Sequence, residues 1–362
     1  MQDMNNDIER LKQIAELMLE VIHRTKLVDM GLFKGNAGIC FALSLLNKCL
    51  NDTRLENEAD KIMEMMPKRL SLETSVSFDI GLAGIGWTLN ELLMRGLYTG
   101  DADDVLSDVD AMVFRDLNTR SKVQARITDG LVGYLFYIVD RLRNPGHSKD
   151  TTLHEIDKSM LRMIIDRLES AVPSIFSSIS KDTFFSILWG VPLMIVYFRK
   201  ALDLNVYNEK IKNTVKEWLF YLSCEMPAYN INRLYLAVSL AYLNEALKWN
   251  EISRIIDVLM YSVDFEELKS EIDSRIMNIN EGWPVAIVIL KKAEELLESS
   301  VPNFMRIRDV RLEILKKINK SWNTLLLSKI GDEMLDICFI QGLSGLAVLW
   351  CLFPDAYRVD NI

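Results

Sequence analysis

A short glycine-centred stretch recurs seven times along this chain, and each copy opens a run of apolar residues. The four best-preserved copies are GLFKGNAGICFAL (31–43), FDIGLAGIGWTL (78–89), ITDGLVGYLFYI (127–138) and FIQGLSGLAVLW (339–350). The more degenerate copies are ILWGVPLMIVYF (187–198), INRLYLAVSLAYL (231–243) and NEGWPVAIVIL (280–290). Their anchors at 35, 81, 130, 190, 233, 282 and 342 are 46, 49, 60, 43, 49 and 60 residues apart. A repeat of this period predicts one supersecondary unit that is used seven times.

The stretches between the glycine motifs have the apolar spacing of amphipathic helices, as in IERLKQIAELMLEVI (8–22) and VRLEILKKINKSWNTLLL (310–327). The run after each motif is apolar on nearly every side, so a helix formed there must be buried on every side. Seven such helices are all interior only when they form a ring inside the more polar ones. The sequence therefore predicts an all-α fold, an α/α toroid of seven helical hairpins with about fourteen helices and an inner ring of seven.

We expect residues 1–362 to form a single domain, because no low-complexity linker interrupts the repeat. The apolar runs are shorter than the roughly 18 to 20 residues of a membrane span, and the N-terminal stretch does not have the pattern of a secretory signal. The formal net charge is −9 without a basic cluster, which makes nucleic acid a poor candidate partner. Five scattered cysteines without a C-x-x-C motif are typical of reduced thiols, so we expect a cytoplasmic protein.

A Gly-x-x-Gly at a helix start lets two backbone segments approach closely and leaves N–H groups free to face a ligand. If all seven helices begin at one rim, the residue before each first glycine points into a shared mouth. These residues are Lys34, Ile80, Asp129, Trp189, Asn232, Glu281 and Gln341. Asp79, Asp129 and Asn232 also stand where N-caps belong, and Trp189 could simply pack in the core. The acidic segment 100–121 lacks the glycine and glutamate of a calcium loop and is interpreted as a solvated helix face with N-caps.

These motifs resemble those of the lanthionine synthetase C-like (LanC-like) family. The matching strings are GLFKGNAGI, GLAGIGWTL and GLSGLAVL, and the repeat number and period agree over nearly the whole chain. The resemblance implies an α/α toroid. For the cyclases of the family it also implies a zinc ion, which activates a peptide cysteine for addition to a dehydroalanine or dehydrobutyrine and so closes a thioether ring.

The resemblance aligns the zinc ligands and acid–base residues of those cyclases with other residue types here. The cysteine of the sixth repeat corresponds to Asn280, and the Cys-His pair of the seventh to Ile340 and Gln341. The histidine of the fourth repeat corresponds to Trp189, and the aspartate of the third to Arg126. Cys338 lies two residues before the family's cysteine position and, on a helix, would point about 200° away from it. We therefore expect no zinc, no other cofactor and none of the family's catalytic residues.

Three functions remain open, and whether the chain is an enzyme is left undecided. The favoured one is a catalytically silent protein, a pseudoenzyme, that binds a peptide substrate or a peptide-modifying enzyme and acts as a recognition or scaffolding subunit in ribosomal peptide modification. The second is a zinc-independent enzyme in which Asp129 and Glu281, with Lys34, transfer protons. The third is a thioether cyclase with a non-standard site. The expected ligand-binding residues at the cavity mouth are Lys34, Arg126, Asp129, Trp189, Asn280, Glu281 and Gln341.

Overall fold

The computed structural model describes residues 2–25, 29–69, 74–120, 123–148, 151–176, 179, 184–272, 276–327 and 336–358. These residues form α-helices, two 3-10 helices (Pro145–Ser148 and Pro354–Tyr357) and the connections between them, without a strand. None of the helices built from these ranges is long and apolar enough to cross a membrane.

In chain order the helices are α1 (Gln2–Arg24), α2 (Asn36–Leu50), α3 (Thr53–Arg69), α4 (Leu82–Met94), α5 (Ala102–Thr119), α6 (Leu131–Leu142), α7 (Thr151–Phe176), α8 (Gly190–Asp203), α9 (Asn208–Cys224), α10 (Asn230–Leu247), α11 (Asn250–Tyr261), α12 (Phe265–Glu271), α13 (Trp283–Leu296), α14 (Phe304–Leu327) and α15 (Leu343–Leu352). Helices α2, α4, α6, α8, α10, α13 and α15 carry the seven glycine motifs or their remnants, as predicted. The described chain has one helix more than the predicted fourteen, because two helices connect α10 to α13. The carboxylate of Asp264 separates these two by accepting the N–H groups of Glu266 and Glu267 at 2.8 and 3.1 Å, which caps α12.

The chain divides into two compact units. The first comprises Met1–Leu161, Met277–Ile279 and Trp322–Ile362, and the second comprises Arg162–Ile276 and Asn280–Ser321. Repeats one, two, three and seven therefore belong to the first unit, whereas the degenerate repeats four, five and six belong to the second. The single-domain interpretation stays a prediction.

In the first unit the glycine-anchored helices pack side by side, α15 on α2, α2 on α4 and α4 on α6. Helix α3 packs on α2, α5 packs on α4, and α1 packs on both α2 and α15. Every residue of α6 is buried, as the all-round apolar pattern requires. Burial of this kind holds the beginnings of these helices in fixed positions, and the candidate site is built there.

In the second unit α10 is the central helix. It packs against α8 and α13. The two helices that follow it in the chain, α11 and α12, also pack against it. Helix α9 packs on α8, where the Trp218 and Phe198 rings stack with centroids 4.3 Å apart. Stacked aromatic pairs of this kind add to the apolar burial that fixes a helix pair.

Candidate functional site

The loops before α2, α4 and α6 fold back beneath the N-termini of these helices. The N–H of Leu82 donates to the carbonyl of Ser75 at 2.8 Å, and the N–H of Leu131 donates to the carbonyl of Gln124 at 2.9 Å. Both acceptors lie seven residues back, and Asn36 makes the same bond at 2.8 Å. The prediction that these N–H groups are free for a ligand is therefore wrong, because the preceding loop satisfies them.

The first glycine of the motif makes this fold-back possible. A Cβ on Gly81 would collide with the Ser75 carbonyl, and a Cβ on Gly130 would collide with that of Gln124. Gly81 and Gly130 are themselves the N-caps of α4 and α6, without a side-chain bond. The capping interpretation of Asp79 and Asp129 is therefore wrong. The Asp79 carboxylate accepts the N–H of Ile80 at 2.8 Å, and the Asp129 carboxylate accepts the Thr128 hydroxyl at 3.1 Å.

Asn232 is not a cap either, because α10 begins before it. Its side chain is buried within the helix and donates from Nδ2 to the Phe184 carbonyl at 3.2 Å. The bond ties repeat five to the loop that precedes α8.

The second glycine of the motif contacts the preceding repeat. An added Cβ would lie within about 3 Å of a side-chain carbon there, closer than real contacts allow. The pairs are Gly38 with Phe339 (2.6 Å), Gly84 with Leu32 (3.0 Å), Gly133 with Phe78 (2.5 Å) and Gly345 with Ile279 (2.8 Å). Each partner stands six residues before the second-glycine position of its own repeat. Repeat seven thus packs on repeat one in the same way as repeat one packs on repeat two.

A relay of backbone hydrogen bonds joins the four loops of the first unit. Ile340 donates to the carbonyl of Phe33 (3.1 Å), Phe33 to that of Asp79 (2.9 Å), and Asp79 to that of Thr128 (3.2 Å). Each of these residues stands two positions before its anchor glycine. The loops of repeats seven, one, two and three are therefore neighbours in register.

We call this arrangement the loop row, which comprises residues 339–341, 32–34, 78–80 and 126–129. It brings together four of the predicted site residues, Lys34, Arg126, Asp129 and Gln341. The first three are exposed and Gln341 is half-buried. Ile80 lies in the row as well, and 56% of its surface is exposed. The row thus presents cationic, anionic, amide and apolar side chains on adjacent loops.

The second unit lacks this relay because repeat five has no such loop. Helix α10 begins three residues before the anchor Arg233, and the N–H of Ile231 is taken by the Glu271 carboxylate at 2.9 Å. The loop of repeat four bonds instead to repeat six. The N–H of Ile187 donates to the Asn280 carbonyl at 2.6 Å.

The side chain of Asn280 is engaged in the same contact. Ser186 donates from Oγ to Oδ1 of Asn280 at 2.6 Å, so two oxygens of one asparagine hold the loop before α8. The sequence did not single out Ser186, and nothing in the local pattern marks it. Glu281, the next residue, is half-buried and lies in the same turn.

Trp189 packs against Tyr235, with ring centroids 6.5 Å apart in an edge-to-face arrangement. Burial raises the pKa of Tyr235, so its phenol stays protonated and donates to the Ile187 carbonyl at 3.2 Å. Trp189 is half-buried in this loop. Trp189, Asn280 and Glu281 belong to the second unit, and the proposed pairing of Asp129 with Glu281 stays a prediction.

The positions that the resemblance aligns with zinc ligands carry amide and hydrocarbon side chains, at Asn280, Gln341 and Ile340. Cys338 lies in the bend before α15 rather than on a helix, so the 200° argument does not apply to it. Its thiol is buried, and burial raises its pKa, which disfavours the thiolate that zinc binds. Among the residues that the structure describes, no group of three or more histidine, cysteine, aspartate or glutamate side chains is placed to hold a metal.

A buried ionic cluster lies in repeat three, apart from the loop row. The Arg141 guanidinium donates to Asp103 at 2.8 Å and to Asp110 at 3.1 Å, and it has no exposed surface. His147 lies 2.6 Å from Asp103 through Nδ1 and 2.8 Å from Asp157 through Nε2. Asp101 caps α5 as predicted, but interpreting segment 100–121 as solvated is wrong for Asp103 and Asp110.

The cluster shifts the pKa values of its members in different directions. Burial and the nearby Asp157 raise the pKa of Asp110 to about 6. Burial alone would lower the pKa of His147, but the hydrogen bonds to Asp157 and Asp103 outweigh it and raise that pKa. For Asp103, burial is outweighed by the bonds from His147 and Arg141, which lower its pKa. These groups stabilise one another through buried ion pairs, so we assign the cluster a structural role.

Comparison with known proteins identifies the family and the fold. The sequence profile of the family described as Lanthionine synthetase C-like protein matches residues 26–232, which is more than half of the chain. The solved structure of nisin cyclase matches with a TM-score of 0.64 at 13% identity, over 99% of this chain and 96% of that one. No curated protein matches the chain in sequence. The structural match confirms the predicted all-α, α/α toroid fold class, and the chain belongs to the lanthionine synthetase C-like family.

Proposed function

We propose that this chain is a peptide-binding member of the LanC-like family that lacks the family's zinc chemistry and serves as a recognition or scaffolding subunit in ribosomal peptide modification. Kinship with cyclases supports a peptide ligand, since nisin cyclase is by its name an enzyme that cyclises the peptide nisin. The chain is thus proposed to bind a peptide without closing a ring in it.

The observation that carries the proposal is the pair of hydrogen bonds that Asn280 accepts. Its backbone oxygen accepts from Ile187 and its side-chain oxygen accepts from Ser186, both at 2.6 Å. A metal ion at this side chain would compete with the Ser186 hydroxyl and would gain only an amide oxygen, whereas structural and catalytic zinc sites use thiolate, imidazole and carboxylate ligands. The Asn280 side chain therefore suits the role of holding the loop before α8 better than that of a zinc ligand.

The loop row is the surface that we propose for the peptide. Lys34 and Asp129 offer charges of opposite sign on exposed positions, and Ile80 offers an apolar contact between them. An extended peptide with alternating charged and apolar side chains would complement this spacing. Because backbone hydrogen bonds hold the loops in place, the loops would lose little conformational entropy when the peptide binds.

Calorimetric titration with precursor peptides encoded beside the gene tests the proposal. We expect measurable heat with at least one peptide, and recovery of that peptide with unchanged mass. The double variant Lys34→Ala/Asp129→Ala should weaken binding by about tenfold or more, while the matched surface pair variant Glu209→Ala/Lys212→Ala should not.

Two results would overturn the proposal. One is the absence of binding to every such peptide. The other is stoichiometric zinc in protein purified without chelator, together with a thioether-containing product from a dehydrated peptide. The latter would instead favour a cyclase with a non-standard site.

A further inference from the structure

Two cysteines meet at the contact between the first and the last repeat. Cys49 lies in the last turn of α2 and Cys351 in the last turn of α15, and these two helices pack against each other. The two thiols are near enough for each to shift the pKa of the other. At the other end of the same helix pair, Gly38 packs against Phe339.

The two thiols differ in exposure. Cys49 is exposed, whereas Cys351 is half-buried. A small dissolved reagent can therefore reach the first sulfur, while the second is sheltered beside it. This combination of an accessible thiol and a resolving partner is typical of redox-sensitive cysteine pairs.

The local electrostatics assign different roles to the two sulfurs. The neighbouring Cys351 thiol, with help from Lys48, lowers the pKa of Cys49 to about 7, while the Cys49 thiol and burial raise the pKa of Cys351. Cys49 is thus substantially thiolate near neutral pH, and the thiolate is the reactive form. By contrast, burial raises the pKa of Cys40 to about 12, which makes that thiol inert.

We propose that Cys49 and Cys351 are a modification site, at which a hydroperoxide converts the two thiols into a reversible disulfide that ties repeat seven to repeat one. The Cys49 thiolate attacks one peroxide oxygen, the O–O bond breaks, and Cys49 becomes a sulfenic acid as hydroxide leaves. The Cys351 sulfur then attacks the Cys49 sulfur, the S–O bond breaks, and water leaves with the Cys351 proton. In total, two thiols are oxidised to one disulfide and hydrogen peroxide is reduced to two waters, the other hydroxide taking the proton that Cys49 had lost. This site is independent of the proposed peptide binding.

Treatment of the full chain with hydrogen peroxide, followed by alkylation under denaturing conditions, tests the proposal. We expect two of the five thiols to escape alkylation, and dithiothreitol to restore them. Trypsin releases Cys49 in residues 49–54 and Cys351 in residues 330–358, so the crosslink joins these two peptides. The second peptide also contains Cys338, so the crosslink must persist in Cys338→Ser and disappear in Cys351→Ser.

Stability gives a second readout that does not depend on peptide mapping. Oxidation should raise the melting temperature of the wild-type chain and of the Cys224→Ser control, whose cysteine is exposed on α9, but not that of Cys49→Ser. The proposal is overturned if five thiols remain alkylatable, if Cys49 is oxidised alone to a sulfinic acid, or if only disulfides between chains form.

Discussion

Gly133 packs directly on Phe78 of the preceding repeat, with 2.5 Å between the position of an added Cβ and the Cβ of Phe78. Gly190, the anchor of repeat four, has no atom within 4 Å of the same position. One glycine is therefore required by a neighbouring repeat and the other is not. The second-glycine pairs occur in repeats one, two, three and seven, which are the repeats of the first compact unit.

Gly133→Ala should lower the free energy of unfolding by about 2 to 3 kcal/mol, because the methyl group would force apart two packed repeats. Gly190→Ala, at the first residue of α8, should change it by less than about 1 kcal/mol and in the stabilising direction. Urea unfolding followed by circular dichroism measures both. Equal effects of the two substitutions would mean that the close approach of Gly133 to Phe78 does not constrain the fold.

The hydrogen bond between Ser186 and Asn280 should appear as a coupling energy of about 1 kcal/mol in a double-mutant cycle with Ser186→Ala and Asn280→Ala. Ser223→Ala in place of Ser186→Ala is the matched control, since Ser223 is exposed on α9 and bonds only locally. Additive effects of Ser186→Ala and Asn280→Ala would remove the argument that Asn280 holds the loop before α8.

Arg141→Met should cost about 3 to 5 kcal/mol of stability, because it leaves Asp103 and Asp110 buried without their cation. Arg143→Met, two residues further on, removes a partly exposed ion pair with Asp140 and should cost less than about 1 kcal/mol. Thermal unfolding of both variants gives the comparison. A small loss in Arg141→Met would show that the cluster adjusts by taking up protons.

In a Cys49→Ser background, the stability of the chain should fall as the pH rises above about 6.5. This background is needed because the pKa of Cys49 is lowered to about 7 in the folded state, so Cys49 adds stability as the pH rises through that value. The pKa of His147 is raised in the folded state, so its contribution is fully present below the ordinary pKa and is lost as the pH passes the raised value. Asp110, whose pKa is about 6, titrates mainly below this window. Adding His147→Gln to this background should remove the fall. A slope equal to that of Cys49→Ser alone would assign the effect to another group.

Trp189→Ala should lower the melting temperature of the chain only slightly, because Trp189 is half-buried and lies in the loop before α8. The loss should be much smaller than that of Trp283→Ala, whose indole is fully buried in α13. Thermal unfolding of both variants gives the comparison. A comparable loss of stability in both variants would identify Trp189 as a core residue.

The repeat and its helices could be predicted from the sequence because glycine spacing and apolar periodicity are local signals. Four of the predicted site residues do lie on neighbouring loops of one unit, in register with the anchor glycines. The fold-back of each loop could not be predicted, because the bond from Leu82 to Ser75 depends on how the chain returns beneath the helix.

The contacts that were missed join residues far apart in the chain. Asp103 and Asp110 are buried because Arg141 and His147 come from later elements, and a segment taken alone gives no sign of that. Ser186 pairs with Asn280 only because α10 begins early and repeat five contributes no loop between them. Such contacts depend on tertiary packing and have no period in the sequence.

The packing of Gly38 on Phe339 has a consequence for chain order. About 300 residues separate the two, yet their contact follows the rule that joins consecutive repeats. In that rule the second glycine of one repeat packs on the side chain six residues before the second-glycine position of the preceding repeat. The motif therefore specifies the interface, whether or not the two repeats are consecutive in the chain. In terms of packing, repeat one is the successor of repeat seven, and a circular permutant that opens the chain in an outer connection would keep every one of these contacts.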